Sequence, residues 1–134
     1  MDKFTIQANQ YKFPYHYIPS FEKETPRIHR VLSWGLDYLT YISFVKELIY
    51  EIKPKTILDV GCGDGYLLNN LDLKCRKVGV DLESKSIAFA RCFATDATFI
   101  NGGVTEIKDK FELVLLIEVL EHISDEDLPG FLAD

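Results

Sequence analysis

A glycine-rich turn directly after a buried strand constrains the fold of this 134-residue chain more than any other feature. Residues 56–61 are mostly apolar and partly β-branched, a pattern typical of a parallel strand buried on both faces. Glycines follow at positions 61, 63 and 65, where they let the backbone turn tightly and approach a ligand closely. A strand, this turn and a helix therefore predict an α/β domain with a ligand site at the turn.

Strands and helices alternate after Pro54. The predicted strands are 56–61, 77–81, 97–100 and 111–117, and the predicted helices are 66–71, one capped by Ser84 and one capped by Ser124. This alternation predicts a parallel sheet with right-handed connections.

The chain before Pro54 differs in composition. Residues 11–21 hold two prolines and five aromatic rings, which predicts an extended arm. Thr25-Pro26 predicts the start of a short helix that Gly35 ends, and an apolar stripe predicts a second helix over 37–52. We therefore expect two regions. The first is 1–53, an aromatic arm and helices that pack as a lid or cap on the same domain, and the second is 54–134, the ligand-binding half.

Composition and charge exclude several classes of protein. A 47% hydrophobic content suits one packed core, and the longest apolar run, 113–117, is far too short to span a membrane. Residues 56–134 hold fifteen acidic and seven basic side chains, which argues against a broad nucleic-acid surface. The three cysteines form no Cys-x-x-Cys pair and the N-terminus has no secretory pattern, so we expect a cytoplasmic protein without zinc.

Two carboxylates flank the turn and restrict the kinds of ligand that could bind there. Asp81 follows Gly63 by eighteen residues, at the end of the second strand, where it can accept both hydroxyl hydrogens of an adenosine ribose. A dinucleotide site would have Gly-x-Gly-x-x-Gly, but here Tyr66 follows Gly65. Asp59 would repel a diphosphate and would suit an ammonium group.

Five segments carry a family resemblance in matching order and spacing: 57–65, 78–82, 100–104, 111–114 and 118–122. They resemble the motifs of class I S-adenosylmethionine (SAM)-dependent methyltransferases. The resemblance covers about residues 54–134. It implies SAM as the cofactor and a Rossmann-like parallel sheet of strand order 3-2-1-4 with helices on both faces. The complete family fold has three more strands, so the resemblance also implies truncation after the fourth.

The resemblance further implies a cofactor site. Asp59 would hold the methionine amine, Asp81 the ribose hydroxyls, and Leu82 and the Val104 N–H the adenine. Many relatives have an acidic residue where Gly103 stands, and it commonly holds the adenine amino group, so we expect a weaker adenine contact here. The full implied set is Asp59, Gly61, Cys62, Gly63, Asp81, Leu82, Gly103, Val104 and Glu118.

Glu118, Glu121 and His122 form a Glu-x-x-Glu-His string, which on a helix places Glu118 and His122 one turn apart. A similar string binds a metal, together with a later histidine, in small-RNA 3′-terminal 2′-O-methyltransferases, but it also occurs in metal-free relatives of ubiquinone biosynthesis. No histidine follows His122 in this chain. We therefore predict no metal and keep these three residues as the alternative ligand set. The candidate catalytic bases are His16 and His122.

The resulting hypothesis is a SAM-dependent methyltransferase, or its cofactor-binding portion, acting on a small-molecule or glycan-like acceptor. One alternative is RNA 3′-terminal 2′-O-methylation with the Glu-x-x-Glu-His metal cluster. Another is a non-catalytic SAM-binding or interaction module. The apolar fourth strand would leave an open edge, which predicts either further chain or a homodimer through that strand.

Overall fold

The computed structural model describes residues 3–9, 11, 21–22, 25–26 and 28–133. It divides into two compact units, Met1–Lys53 and Pro54–Asp134. Residues 12–20, which hold most of the expected aromatic arm and His16, lie outside the described part. The role of the first unit as a lid or cap stays a prediction.

The first unit contains two helices and a two-stranded antiparallel ladder. Its elements are α1 (Lys3–Ala8), β1 (Phe21–Glu22), β2 (Thr25–Pro26) and α2 (Ile28–Ile52). The prediction of a short helix from Thr25 to Gly35 was wrong, because Thr25 and Pro26 pair with β1 and α2 runs unbroken through Gly35. A glycine costs a helix only about 1 kcal/mol relative to alanine, so a single one does not end a long helix.

The second unit alternates strands and helices along the chain. The strands are β3 (Thr56–Val60), β4 (Arg76–Asp81), β5 (Ala97–Asn101) and β6 (Leu113–Leu115). The helices are α3 (Tyr66–Asn69), α4 (Ser84–Phe93) and α5 (Leu128–Ala133), with short 3₁₀ turns at Val104–Glu106 and Leu120–His122.

The four strands form one parallel sheet in the order β5-β4-β3-β6. This is the predicted order 3-2-1-4, and the Rossmann-like fold class is confirmed. The central strand β3 pairs with β4 on one side, Val60 opposite Val80, and with β6 on the other, Asp59 opposite Leu115. Because parallel strands end at the same edge, the glycine turn and Asp81 are brought together.

Helices cover both faces of the sheet. Val78 and Val80 belong to a core cluster on one face, where Phe131 of α5 packs. Gly79 must face the opposite side because side chains alternate along a strand. A Cβ on Gly79 would collide with the Phe99 ring. A Cβ on Gly65 would collide with the same ring and with Ala90 of α4, so the ring and α4 lie on this second face.

The fourth strand is shorter than the sequence predicts. The expected strand over 111–117 forms only at Leu113–Leu115, where it pairs with β3. Among the described residues no strand pairs with its other edge. The homodimer through this edge stays a prediction, and sedimentation of the chain with and without Leu115→Lys would test it.

One helix start differs from prediction. Ser84 is the first residue of α4, and the cap is Glu83, whose side chain accepts from Lys85 N at 3.0 Å. Ser124 caps the turn that leads into α5, because its Oγ accepts from Asp127 N at 3.2 Å and its carbonyl oxygen accepts from Leu128 N at 3.0 Å. In the described part of the chain, no helix is long and apolar enough to cross a membrane.

A buried lysine connects two loops at the start of β4. The Lys77 side chain is only 2% exposed, and its Nζ donates to Leu71 O at 2.7 Å and to Asp96 Oδ1 at 2.9 Å. This contact ties the segment after α3 to the turn before β5. A buried ammonium is tolerated because both acceptors lie in direct contact with it.

We expect Lys77→Met to lower the free energy of unfolding by about 1–3 kcal/mol, since the Leu71 carbonyl and Asp96 lose a charged donor. Urea denaturation followed by circular dichroism measures this change. Lys110→Met, at an exposed loop position, is the matched control and should change stability by less than about 0.5 kcal/mol. Equal stability of the Lys77 variant and the parent chain would contradict the proposed contact energy.

Candidate cofactor site

The glycine turn adopts a backbone that other residues avoid. Gly61, Gly63 and Gly65 have φ values of 73°, 55° and 74°, in the left-handed region. The N–H groups of Gly61 and Cys62 both donate to Val80 O, at 2.8 and 3.1 Å. The turn is therefore held against the end of β4.

Space as well as conformation requires glycine here. A Cβ at Gly61 would lie 2.5 Å from Cγ2 of Val119, and a Cβ at Gly65 would lie 2.8 Å from Cβ of Ala90. Val119, which sequence reasoning missed, follows β6 and packs over Gly61. The turn after β3 and the loop after β6 are thus in direct contact.

Asp81 anchors the turn through its side chain. Oδ2 accepts from Gly63 N at 2.8 Å, and Oδ1 accepts from Glu83 N at 2.8 Å. Burial raises the pKa of this carboxyl group, while the two N–H donors lower it. Each carboxylate oxygen has a second lone pair, so the group can also accept from ligand hydroxyls.

Asp59 lies beside Asp81 in a very different environment. It is 4% exposed, and no described residue donates a hydrogen bond to its carboxyl group. Burial, and then the nearby charge of Asp81, raise the pKa of Asp59 to about 7. An ammonium group placed here would supply the missing positive partner.

Cys62 is a neutral thiol inside the turn. Burial raises its pKa, and the carboxylates of Asp59, Asp81 and Asp64 raise it further. A thiol that is buried among negative charges stays protonated and is therefore a poor nucleophile. Its contribution to the site is therefore through packing, for example against the face of Gly79.

The expected adenine-side residues lie together next to Asp81. Leu82 is 72% exposed, and a Cβ built on Gly103 would lie 3.9 Å from its Cδ2. Asn101 fixes this region, because its Nδ2 donates to the carbonyl oxygens of Asp81 and Leu82 at 3.0 Å each. Val104 begins the 3₁₀ turn that follows Gly103.

Glu118 has a left-handed backbone, with φ of 56°, next to the Val119 contact on Gly61. Burial, the charge of Glu121 and a hydrogen bond with the Glu121 carboxyl raise the pKa of Glu118, and His122 lowers it. A non-glycine residue in this conformation is costly and is held by its surroundings.

The helical spacing assumed for the alternative metal ligands was wrong. Leu120–His122 is a single 3₁₀ turn and Glu118 lies outside it, so Glu118 and His122 are not on successive turns of an α-helix. In the described part of the chain no group of three or more His, Cys, Asp or Glu residues is placed to hold a metal ion.

The structure thus brings the predicted cofactor residues to one edge of the sheet, and their binding roles stay predictions. His122, a candidate base, lies in the 3₁₀ turn after β6, whereas His16 is outside the described residues. Asn101 and Val119 also lie at this edge but were not predicted to belong to the site. The position of Asn101 at the end of β5, before two glycines, was its one signal in the sequence, and Val119 had none.

A family model described as a methyltransferase domain matches residues 57–134, more than half of the chain. This chain belongs to the class I SAM-dependent methyltransferase family.

The relatives of this chain are named for different acceptors. A ubiquinone biosynthesis O-methyltransferase from Rickettsia bellii is 28% identical over 105 residues, covering 73% of this chain and 43% of the relative. A small RNA 2′-O-methyltransferase from Mus musculus is 29% identical over 114 residues, covering 70% of this chain and 29% of the relative. The chain therefore spans less than half the length of both relatives.

A solved structure with a similar fold is the magnesium protoporphyrin IX methyltransferase of Synechocystis, determined with bound SAM. The TM-score is 0.75 at 15% identity, and the match covers 98% of the present chain and 64% of the Synechocystis chain. At this identity the likeness shows the shared fold.

We expect Asp59→Asn to stabilise the folded chain more at pH 8 than at pH 5. The folded-state pKa of about 7 exceeds the ordinary pKa of 3.8, so the folded state binds more protons between these values and stability falls as pH rises through that range. The gain at pH 8 should exceed the gain at pH 5 by roughly 2–3 kcal/mol. Thermal unfolding at both pH values measures it, with Asp125→Asn at an exposed position as control. A gain of the same size at both pH values would contradict the raised pKa.

Proposed function

We propose that this chain binds SAM and forms the cofactor-binding part of a methyltransferase that acts on a small-molecule acceptor. The observation that carries the proposal is the pairing of Asp59 and Asp81 at the three-glycine turn. One is buried without a hydrogen-bond donor among the described residues, and the other is held by two backbone N–H groups. A ligand with an ammonium group and a ribose matches both.

The described residues fit such a cofactor at three points. Asp59 would neutralise the methionine ammonium, Asp81 would accept from the ribose hydroxyls, and Leu82 offers an exposed apolar surface to a purine ring. When bound, SAM supplies a methyl group activated by a sulfonium. The contribution of the protein is to hold the reacting groups in line, because alignment provides much of the rate of such a transfer.

The acceptor class is proposed from charge and from the relatives. The excess of acidic side chains in residues 56–134 opposes a long polyanion, and the Rickettsia relative is named for ubiquinone biosynthesis. A small or glycan-like acceptor agrees with both. A proton lost by the acceptor would go to a nearby base, for which His122 and His16 remain the candidates.

RNA 2′-O-methylation is the second candidate function. It is favoured by the mouse relative, named a small RNA 2′-O-methyltransferase, whereas Glu118, Glu121 and His122 are not placed to hold a metal ion. Methyl transfer to a short RNA that is lost on adding a chelator and restored by a divalent metal would support it. Full transfer to a small acceptor in the presence of chelator would support the first proposal. Cofactor binding without transfer to any acceptor would favour a non-catalytic SAM-binding module.

Titration calorimetry with S-adenosylhomocysteine (SAH), the demethylated product, tests the cofactor proposal. We expect the parent chain to bind and Asp81→Asn to bind about 10- to 100-fold more weakly, because hydrogen bonds from the ribose to a carboxylate are replaced by weaker ones. Asp125→Asn, at an exposed position, is the control and should bind like the parent. The absence of both heat and a thermal shift with the parent chain would reject the proposal.

The affinity for SAH should rise about eightfold from pH 6 to pH 7.5, since a group with a pKa of about 7 ionises over this range. Below pH 7 binding should also release close to one proton, which calorimetry in buffers of different ionisation enthalpy detects. Methylthioadenosine lacks the ammonium group and should show neither effect, and Asp59→Asn should abolish both for SAH. A pH-independent SAH affinity would show that Asp59 does not pair with the ammonium.

A further inference from the structure

The side chain of Asn101, at the end of β5, contacts the backbone at the end of β4. Its Nδ2 donates to the carbonyl oxygens of Asp81 and Leu82, at 3.0 Å each. The main chain already joins the strands here, because Asp81 lies opposite Asn101 and Gly102 N donates to Asp81 O at 3.0 Å. The bond to Leu82 O lies one residue beyond β4, so the side chain extends the contact past the end of the ladder.

The peptide unit between Leu82 and Glu83 is held on both sides. Its carbonyl oxygen, Leu82 O, accepts from Asn101 Nδ2. Its N–H, on Glu83, donates to Asp81 Oδ1 at 2.8 Å. A trans peptide unit is planar, and its C=O and N–H point in opposite directions. Fixing the carbonyl therefore also fixes the direction of the N–H that reaches the Asp81 carboxylate.

The same peptide unit carries an electrostatic effect to Asp81. Burial raises the pKa of Asp81, and the Glu83 N–H lowers it more than Gly63 N and the Ser86 side chain do. Hydrogen bonds in a chain polarise one another, so a carbonyl that accepts a bond makes the N–H of its own peptide a stronger donor. Asn101 thus supports the donor that most favours the ionised carboxylate.

An asparagine elsewhere in the chain makes a similar contact without this connection. Asn70 Nδ2 donates to Tyr66 O at 2.8 Å, four residues back along α3. Asn70 and Asn101 are both exposed, so each replaces water at a backbone carbonyl. What distinguishes Asn101 is that the carbonyl it holds belongs to a peptide whose N–H contacts a carboxylate of the cofactor site.

We propose that Asn101 is a positioning residue for the cofactor. By holding the Leu82 carbonyl, it directs the Glu83 N–H at the Asp81 carboxylate and so keeps that carboxylate oriented toward the ribose hydroxyls. This rests on the proposed binding of SAM. Asn101 acts through Asp81 and needs no contact with the ligand.

A double-mutant cycle measured by SAH titration tests the proposal. We expect Asn101→Ala to bind SAH about 3- to 10-fold more weakly than the parent chain. In the Asp81→Asn background the same change should cost less than about twofold, because both substitutions act on one group. Asn70→Ala, which also loses a bond to an exposed carbonyl, is the matched control and should bind like the parent. Equal losses in both backgrounds would overturn the proposal.

A second variant separates the hydrogen bonds from packing. Asn101→Asp keeps the shape of the side chain but offers no donor, so it should weaken SAH binding at least as much as Asn101→Ala does. Parent-like affinity of Asn101→Asp would show that the N–H groups of Asn101 do not position the site.

Amide NMR of the ligand-free chain tests the positioning without the cofactor. The Glu83 amide proton should resonate downfield in the parent, because a charge-assisted hydrogen bond deshields it. Asn101→Ala should move it upfield, in the direction that Asp81→Asn does, and Asn70→Ala should leave it in place. An unmoved Glu83 resonance in Asn101→Ala would overturn the positioning role. Failure of the parent chain to bind SAH would instead reject the proposed function.

Discussion

The hydrogen bonds from Gly63 N and Glu83 N to the Asp81 carboxylate are the interaction on which the site depends. One bond joins the glycine turn after β3 to the end of β4, and the other orients the start of α4. Both donors are backbone groups, and the Ser86 side chain adds a further hydrogen bond to the same carboxylate. The Asn101 side chain then extends the same support to β5 by holding the carbonyls of Asp81 and Leu82.

The same arrangement gives the carboxyl groups of Asp59 and Asp81 different hydrogen bonding. Two carboxyl groups lie close together at a buried edge, but only Asp81 receives backbone donors, whereas burial and the nearby charge of Asp81 raise the pKa of Asp59 to about 7. Burying an unpaired carboxyl group costs stability, and such costs are typical of places where a ligand supplies the missing partner. The left-handed Glu118 and the tight contact of Val119 on Gly61 lie at the same edge. Strain, burial and unpaired charge are thus concentrated where the cofactor is proposed to bind.

Much of the fold could be predicted because its signals are local. The apolar run of β3 and the three glycines after it lie within ten residues, and the alternation of strands and helices predicts a parallel sheet, whose strand order came from the family resemblance. Predictions were wrong where a local helix signal competes with contacts between residues that are further apart in the chain. Thr25-Pro26 reads as a helix start but pairs with β1, and Gly35 reads as a helix end although α2 continues through it. The spacing of Glu118 and His122 suggested a helix that the chain does not form there.

The sequence by itself determined the parallel strands, the glycine turn and the two carboxylates beside it, because each depends on residue type at a short and regular spacing. Only the tertiary structure decided how these groups differ. The Asp59 carboxyl group has no hydrogen-bond donor among the described residues, whereas that of Asp81 has two backbone donors. Val119 packs against Gly61 although 58 residues separate them in the chain. The Glu106 side chain also lies over Gly102, a contact set by a 3₁₀ turn. Contacts of this kind depend on backbone direction and burial, which residue spacing does not encode.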